Sequence, residues 1–355
     1  MASRFLDKAR QVREGEELDV AALEKYLKTG PLEIEQFPKG HSNLTYLLRA
    51  GDKKMVLRRP PFGAKIKTAH DMSREYRILS ALHGVYPKVP EPFLHCEDES
   101  VIGAPFYLME RVEGVILRGT NPPGELGLDA PTMRRLSESL IDGLAELHAV
   151  DVGKAGLSDY GRPEGYVERQ VTGWTGRYFK AKTDEVPEVE EAAAWLEKNL
   201  QPESGAALIH GDYKYDNLVL DPSDLTRIIA VLDWEMATVG DPLMDLGVTL
   251  GYWIDPQDPD EHRMLPFGPT LLDGNLTRME LVERYAEKSG REVGKIVFHY
   301  VYALFKIAVI AQQIYKRFKE GHTKDQRFAM MIMGVNILGK TAVRAIEKDR
   351  IYDLG

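Results

Sequence analysis

Three side chains able to meet a metal-bound phosphate stand close together between apolar runs. Asp212 and Asn217 lie in His210-Gly211-Asp212-Tyr213-Lys214-Tyr215-Asp216-Asn217, and Asp233 ends the run Ile228-Ile229-Ala230-Val231-Leu232. Leu208-Ile209 before the loop and Leu218-Val219-Leu220 after it read as buried strands, so the polar loop is anchored at both ends. Hard cations such as magnesium take oxygen ligands. Moving a phosphoryl group requires positioning, charge neutralisation and a carboxylate beside the accepting hydroxyl. Asp212, Asn217 and Asp233 can meet the last two needs. Each alone has an ordinary explanation as a turn or strand-end residue; their joint placement between two apolar strands is what favours a site. His210 has no partner at zinc-ligand spacing and is expected to brace the loop through hydrogen bonds. No G-x-S-x-G elbow supports a serine hydrolase.

Such a loop needs a second set of elements to hold the phosphoryl donor. Residues 32–37, 44–49 and 53–58 read as strands. Between the first two, Lys39-Gly40-His41-Ser42-Asn43 is a candidate phosphate-facing turn, in which Gly40 permits close backbone approach and Ser42 and Asn43 offer donors. Along Met55-Val56-Leu57-Arg58 side chains alternate, so Val56 and Arg58 share one face. A flat base could rest on Val56, and phosphates could lie near Arg58. Asp71 is a good N-cap for a helix to about residue 82, on which Glu75 could reach back to Arg58. Residues 93–96 and 106–112 complete a sheet of five strands with one inserted helix.

The lobe boundary is expected near Glu113, giving lobes 1–112 and 113–355. Beyond it the pattern is mainly helical, with helices expected over residues 129–148, 169–180, 188–200, 277–289, 294–319 and 325–348. The Pro- and Asp-rich stretch 255–274 reads as a long loop. The architecture expected is therefore α+β, a small antiparallel sheet lobe followed by a larger helical one.

With a net charge of -9, nucleic acid and anionic membrane surfaces are poor candidates for the main partner. The apolar stretch 296–311 is broken by His299 and Lys306 and falls short of the roughly 20 residues of a membrane helix. It reads as a buried helix. The single cysteine, Cys96, can form no internal disulfide, which fits a cytoplasmic setting; its expected role is packing.

His210-Gly211-Asp212 through Asn217, followed by Leu232-Asp233-Trp234-Glu235 and Gly240-Asp241-Pro242 with Asp245-Leu246, closely resembles the aminoglycoside phosphotransferase and choline kinase-like enzymes. The resemblance runs from about Gly40 to the C-terminus and implies a two-lobed protein-kinase-like fold. It implies ATP and Mg2+ as cofactors, Asp212 as the catalytic base or hydroxyl-orienting carboxylate, and Asn217 and Asp233 on magnesium. It makes residues 40–43 the phosphate-covering loop, and Glu110 to Val112 the connector whose backbone meets adenine. Asp241 and Asp245 match a supporting segment. Arg58 stands where the family commonly has a lysine, with Glu75 as its helix partner. The charge is kept, but the fork is broader.

Val56-Leu57-Arg58-Arg59-Pro60-Pro61, Arg74-Glu75-Tyr76 and Gly103-Ala104-Pro105-Phe106-Tyr107-Leu108-Met109-Glu110-Arg111 are similar to the branch found beside, or fused to, acyl-CoA dehydrogenase domains. That likeness implies a small-molecule hydroxyl substrate of the hydroxyacyl type and a functional association with an acyl-CoA dehydrogenase. The helical lobe shows no dense carboxylate cluster for a polycationic aminoglycoside, although the acidic residues of 255–261 could contribute. An alternative is a nucleotide-binding regulatory module without transfer, motivated by Arg58 and the single-glycine loop. A protein kinase is disfavoured by the lack of H-R-D, D-F-G and A-P-E signatures.

Overall fold

The computed structural model describes residues 5–38, 43–62, 71–119, 122, 124–323 and 325–355. Asp19 caps α1 (Val20–Leu27) by accepting from the Ala22 amide. Strands β1 (Glu33–Gln36), β2 (Leu44–Ala50) and β3 (Lys53–Arg59) precede α2 (Met72–Leu82), β4 (Pro92–Cys96) and β5 (Phe106–Glu110). These strands form a five-stranded sheet ordered β1-β2-β3-β5-β4, antiparallel throughout. Leu44, Tyr46, Leu48, Met55, Leu57, Phe106 and Leu108 supply one apolar core, with Cys96 among them. Alternation along β3 puts Val56 and Arg58 on the opposite face, where Arg58 faces Thr45 and Tyr107 across the sheet. Asp71 caps α2 through the Ser73 and Arg74 amides.

The chain continues through α3 (Ala130–His148), α4 (Tyr166–Ala181), α5 (Pro187–Lys198), β6 (Ala207–Ile209), β7 (Leu218–Asp221), β8 (Asp224–Val231) and β9 (Thr238–Gly240). Then come α6 (Pro242–Gly251), α7 (Asp260–Arg263), α8 (Arg278–Ser289), α9 (Ile296–Lys319) and α10 (Met331–Lys348). The capping box of Thr277 and Glu280 starts α8. Two details depart from the sequence pattern. The last helix begins as a 3-10 turn at Gln326–Met330, because Asp325 accepts from the Arg327 amide two residues on. The 255–274 stretch contains α7, whose acidic first turn suits a helix N-terminus.

Two compact units result. One comprises Met1–Ile116, Gly153–Leu157 and Asn217–Ala237; the other comprises Leu117–Val152, Ser158–Asp216 and Thr238–Gly355. The β7–β8 hairpin therefore belongs with the five-stranded sheet, tied on by the Val115–Leu220 backbone pair. In the helical unit α9 packs against α4, α5, α6 and α10. It and the segment Gln326–Lys348 are long and apolar enough to cross a bilayer, yet residues 296–309 of α9 are all buried within the protein.

Glycines on α6 allow α9 to come close. A Cβ on Gly247 would lie 2.5 Å from the His299 carbonyl oxygen, and one on Gly251 2.7 Å from the Ala303 Cβ. Gly247→Ala is expected to destabilise by about 1–3 kcal/mol through overpacking, although alanine is the better helix former. Urea unfolding measures this; an unchanged midpoint would contradict the close approach.

Carboxylates of the acidic 255–261 stretch are engaged within the protein. Arg278 is fully buried and engages Asp258 at 2.7 Å and Asp255 at 3.4 Å, while Glu261 pairs with Arg344 at 2.9 Å. A guanidinium taken out of water needs such partners. Burial pushes the Asp255 carboxyl up to about 6.

Candidate active site

The loop carrying Asp212 follows β6, which pairs with β9. It turns at Gly211, whose φ of 81° is in the left-handed region that favours glycine. Side chains from distant elements hold its backbone. Asp245 on α6 accepts from the His210 and Gly211 amides, each at 2.7 Å. Thr249, one turn further along α6, donates to the Tyr213 carbonyl at 2.9 Å. Lys306 of α9 donates to the Gly211 carbonyl at 2.7 Å. His210 itself braces the loop: its Nδ1 accepts from the Asp212 amide at 3.2 Å.

Asp245 is in turn held by His148, whose Nε2 lies 3.1 Å away and whose Nδ1 meets the Tyr285 hydroxyl at 2.7 Å. Burial raises the Asp245 carboxyl, but the bonds and charges of His148 and His210 outweigh it and hold the group below its ordinary value. Asp241 caps α6 by accepting from the Leu243 and Met244 amides. Asp245 therefore supports the loop directly, and Asp241 the helix that carries it.

The Asp212 carboxylate receives the Lys214 ammonium at 2.7 and 2.8 Å, and Lys214 lies 4.0 Å over the Tyr252 ring. Burial works against the lysine's charge, but Asp212 outweighs it and raises Lys214 above its ordinary value. Lys214 is not among the residues the sequence pattern singles out, though its place two residues after Asp212 is a usable signal.

In the sheet unit, Asn217 and Asp233 stand at the same end of the β7–β8 hairpin. Leu218 pairs with Val231, and the Leu232 amide donates to the Asn217 carbonyl at 2.8 Å. Asp233 adopts φ 67°, a left-handed backbone that aspartate tolerates better than most residues. Arg58 is 7 % exposed and Glu75 2 %. The expected ion pair is present at 2.5 Å, and Arg58 also meets Asp233 at 3.0 Å and Glu235 at 3.6 Å. Burial disfavours the Arg58 charge, but Glu75, Tyr107, Asp233 and Glu235 outweigh it and hold Arg58 well above its ordinary value. Burial raises Glu75 against the pull of Arg58.

Asn43 is buried and donates to Glu235 at 2.9 Å; Gly40 and Ser42 lie outside the described residues. Val56 is buried on the Arg58 face. Glu110 ends β5 with its amide on the Glu91 carbonyl, and the Val112 carbonyl accepts from Arg111. The structure thus joins Arg58, Glu75, Asn43, Asn217 and Asp233 in one unit. Asp212 stands in the other, five residues before Asn217 along the chain. Glu235 is likewise not marked by the sequence pattern, although Asp-Trp-Glu places it two residues beyond Asp233.

The described residues contain no group of three or more His, Cys, Asp or Glu that could hold a metal ion. Magnesium in phosphoryl transfer typically takes one or two protein carboxylates and completes its shell with phosphate and water oxygens. Asn217 and Asp233 offer such a partial oxygen set at one hairpin end.

The α+β arrangement, a five-stranded antiparallel sheet and a mainly helical unit, is the protein-kinase-like fold. The chain matches the phosphotransferase enzyme family over residues 33–281, more than half its length, and belongs to it; these are enzymes with an alcohol group as acceptor. It is 35% identical over 341 residues to acyl-CoA dehydrogenase family member 11 of Gallus gallus, covering 91% of this chain and 43% of that protein. The chain therefore spans under half the length of that relative. A solved structure from Ralstonia eutropha JMP134, provisionally named an aminoglycoside phosphotransferase, is 32% identical with a TM-score of 0.72, covering 91% of this chain and 99% of that one. Macrolide 2'-phosphotransferase type I, at 20% identity and TM-score 0.60 over 90% of this chain and 97% of its own, shares the fold.

Proposed function

We infer that this small-molecule kinase uses Mg-ATP and transfers the γ-phosphoryl group to the hydroxyl of a hydroxyacyl compound. The observation that carries the reading is Asp212, fixed on a braced loop beside Lys214. In this reading Asp212 orients the acceptor hydroxyl and takes its proton as the new O–P bond forms and the bond to the β-phosphate oxygen breaks. Lys214 keeps Asp212 in place and compensates its charge. Arg58, positioned by Glu75, serves the donor phosphates in place of a lysine, and residues 1–112 serve as the nucleotide lobe. Val56 and the 110–112 backbone are the proposed contacts for the base, with Gly40, Ser42 and Asn43 over the phosphates. Asn217 and Asp233 would hold magnesium, which supplies charge neutralisation on the phosphates when bound.

The hydroxyacyl class is supported by the name of the Gallus gallus relative, an acyl-CoA dehydrogenase family member. The same likeness supports a functional association with an acyl-CoA dehydrogenase; the lone Cys96 supports a cytoplasmic setting. Incubation with Mg-ATP and a panel of hydroxy acids, their thioesters and aminoglycosides is expected to release ADP only with the acyl compounds. ADP release with aminoglycosides alone would refute the acceptor class. Magnesium-dependent ATP binding with no transfer to any acceptor would favour the regulatory alternative.

A further inference from the structure

Lys306 is a cation in an unusual place. It is 5 % exposed, within the segment of α9 whose neighbours Phe305, Ile307, Ala308 and Val309 are apolar and buried. Its Nζ reaches the Gly211 carbonyl at 2.7 Å. That carbonyl belongs to the peptide leading directly into Asp212, and the amide of the same peptide is held by His210 Nδ1 at 3.2 Å. The peptide is thus gripped at its oxygen by α9 and at its nitrogen by the loop's own histidine. The preceding Gly211 amide is held by Asp245.

Burying an ammonium costs several kcal/mol, and a leucine or methionine would pack such a helix more cheaply. The groups facing Lys306 are Asp212 and Lys214 from the loop, Asp245 from α6 and Arg177 from α4. The Trp174 ring lies 5.6 Å from Lys306 and 4.4 Å from Arg177. The two carboxylates favour the ammonium and the two cations oppose it.

We propose that Lys306 is a positioning residue for phosphoryl transfer: by holding the Gly211 carbonyl it sets the orientation of the peptide that carries Asp212. This rests on the reading of Asp212 given above. A misplacement of about 1 Å at a reacting group can cost about 100-fold. Burial pulls the Lys306 ammonium down to about 8 despite Asp212 and Asp245. The charged form is therefore lost as pH rises through about 8, and the grip on Gly211 weakens in the same range.

The test compares full-length wild type, Lys306→Met, Lys306→Arg and Asp212→Asn. One readout needs no acceptor: in 15N-labelled protein the Gly211 and Asp212 amide resonances should shift as pH passes about 8, and this transition should vanish in Lys306→Met. The second readout is inorganic phosphate released from Mg-ATP, with water as the acceptor. Lys306→Met should lower kcat by about 10–100-fold with KM for ATP unchanged, while melting at or above the wild-type temperature. Lys306→Arg should recover much of the rate and keep it to higher pH. Gly211 and Asp212 amide resonances unchanged in Lys306→Met, or a Lys306→Met rate equal to wild type while Asp212→Asn is impaired, overturns the proposal alone. If Asp212→Asn matches wild type, the reading of Asp212 fails and the proposal falls with it.

Discussion

Replacing Asp212 by asparagine is expected to lower kcat for phosphoryl transfer by about 100- to 10,000-fold, the range typical for removing a positioned acid–base group. Asparagine has nearly the same shape and can still accept from Lys214, so the loop should keep its conformation. The negative charge and the capacity to take the hydroxyl proton are lost. Because Asp212 touches the acceptor in this reading and not the nucleotide, KM for ATP should stay where it was. A fall in kcat and kcat/KM together, with ATP affinity by calorimetry unchanged, is the signature of an interaction made in the transition state. Undiminished turnover in Asp212→Asn would remove Asp212 from the reaction.

The second large effect concerns Arg58. Arg58→Met leaves Glu75, 2 % exposed, without its 2.5 Å partner. Breaking a buried pair from one side typically costs about 3–5 kcal/mol, because the remaining charge has no compensation. The sign with pH follows from burial, which raises the Glu75 carboxyl in the folded state. The unfolded chain ionises this group first, so the penalty in Arg58→Met grows as pH rises above about 4.3 and vanishes as pH falls toward it. Urea unfolding at neutral and acid pH measures it. Arg58→Lys should be intermediate, since a point charge cannot fork across Glu75, Asp233 and Glu235 together. A stability equal to wild type in Arg58→Met at pH 7 would mean that Glu75 is not relying on Arg58.

Local signals carried much of the fold. Asp71 marks the start of α2, Thr277 and Glu280 that of α8, and the alternation of 55–58 puts Arg58 on the face where Glu75 meets it. These are effects of near neighbours, and sequence patterns report near neighbours well. Asp212, Asn217 and Asp233 stand out in the sequence as polar residues between apolar runs; the structure puts Asn217 and Asp233 at one hairpin end and Asp212 on the braced loop. The supporting contacts were harder to see. Lys306 showed only as a charge interrupting an apolar run, with nothing nearby to say that its partner was a carbonyl at Gly211. Asp255 and Asp258 looked like free acidic loop residues because Arg278 lies 20 or more positions away along the chain. Long-range polar pairing leaves no periodicity to read.

The bracing of the 210–213 backbone also bears on the order in which the molecule becomes competent. Its partners lie 34 to 36 residues onward on α6 and 95 onward on α9. Closing chain segments of that length costs entropy before any bond returns it. The loop bearing Asp212 therefore acquires its geometry only after both helices have docked, and a nascent chain that has not yet made α9 holds every residue of the His-Gly-Asp segment without its final shape. If Asp212 serves the acceptor as proposed, competence for transfer arrives with α6 and α9.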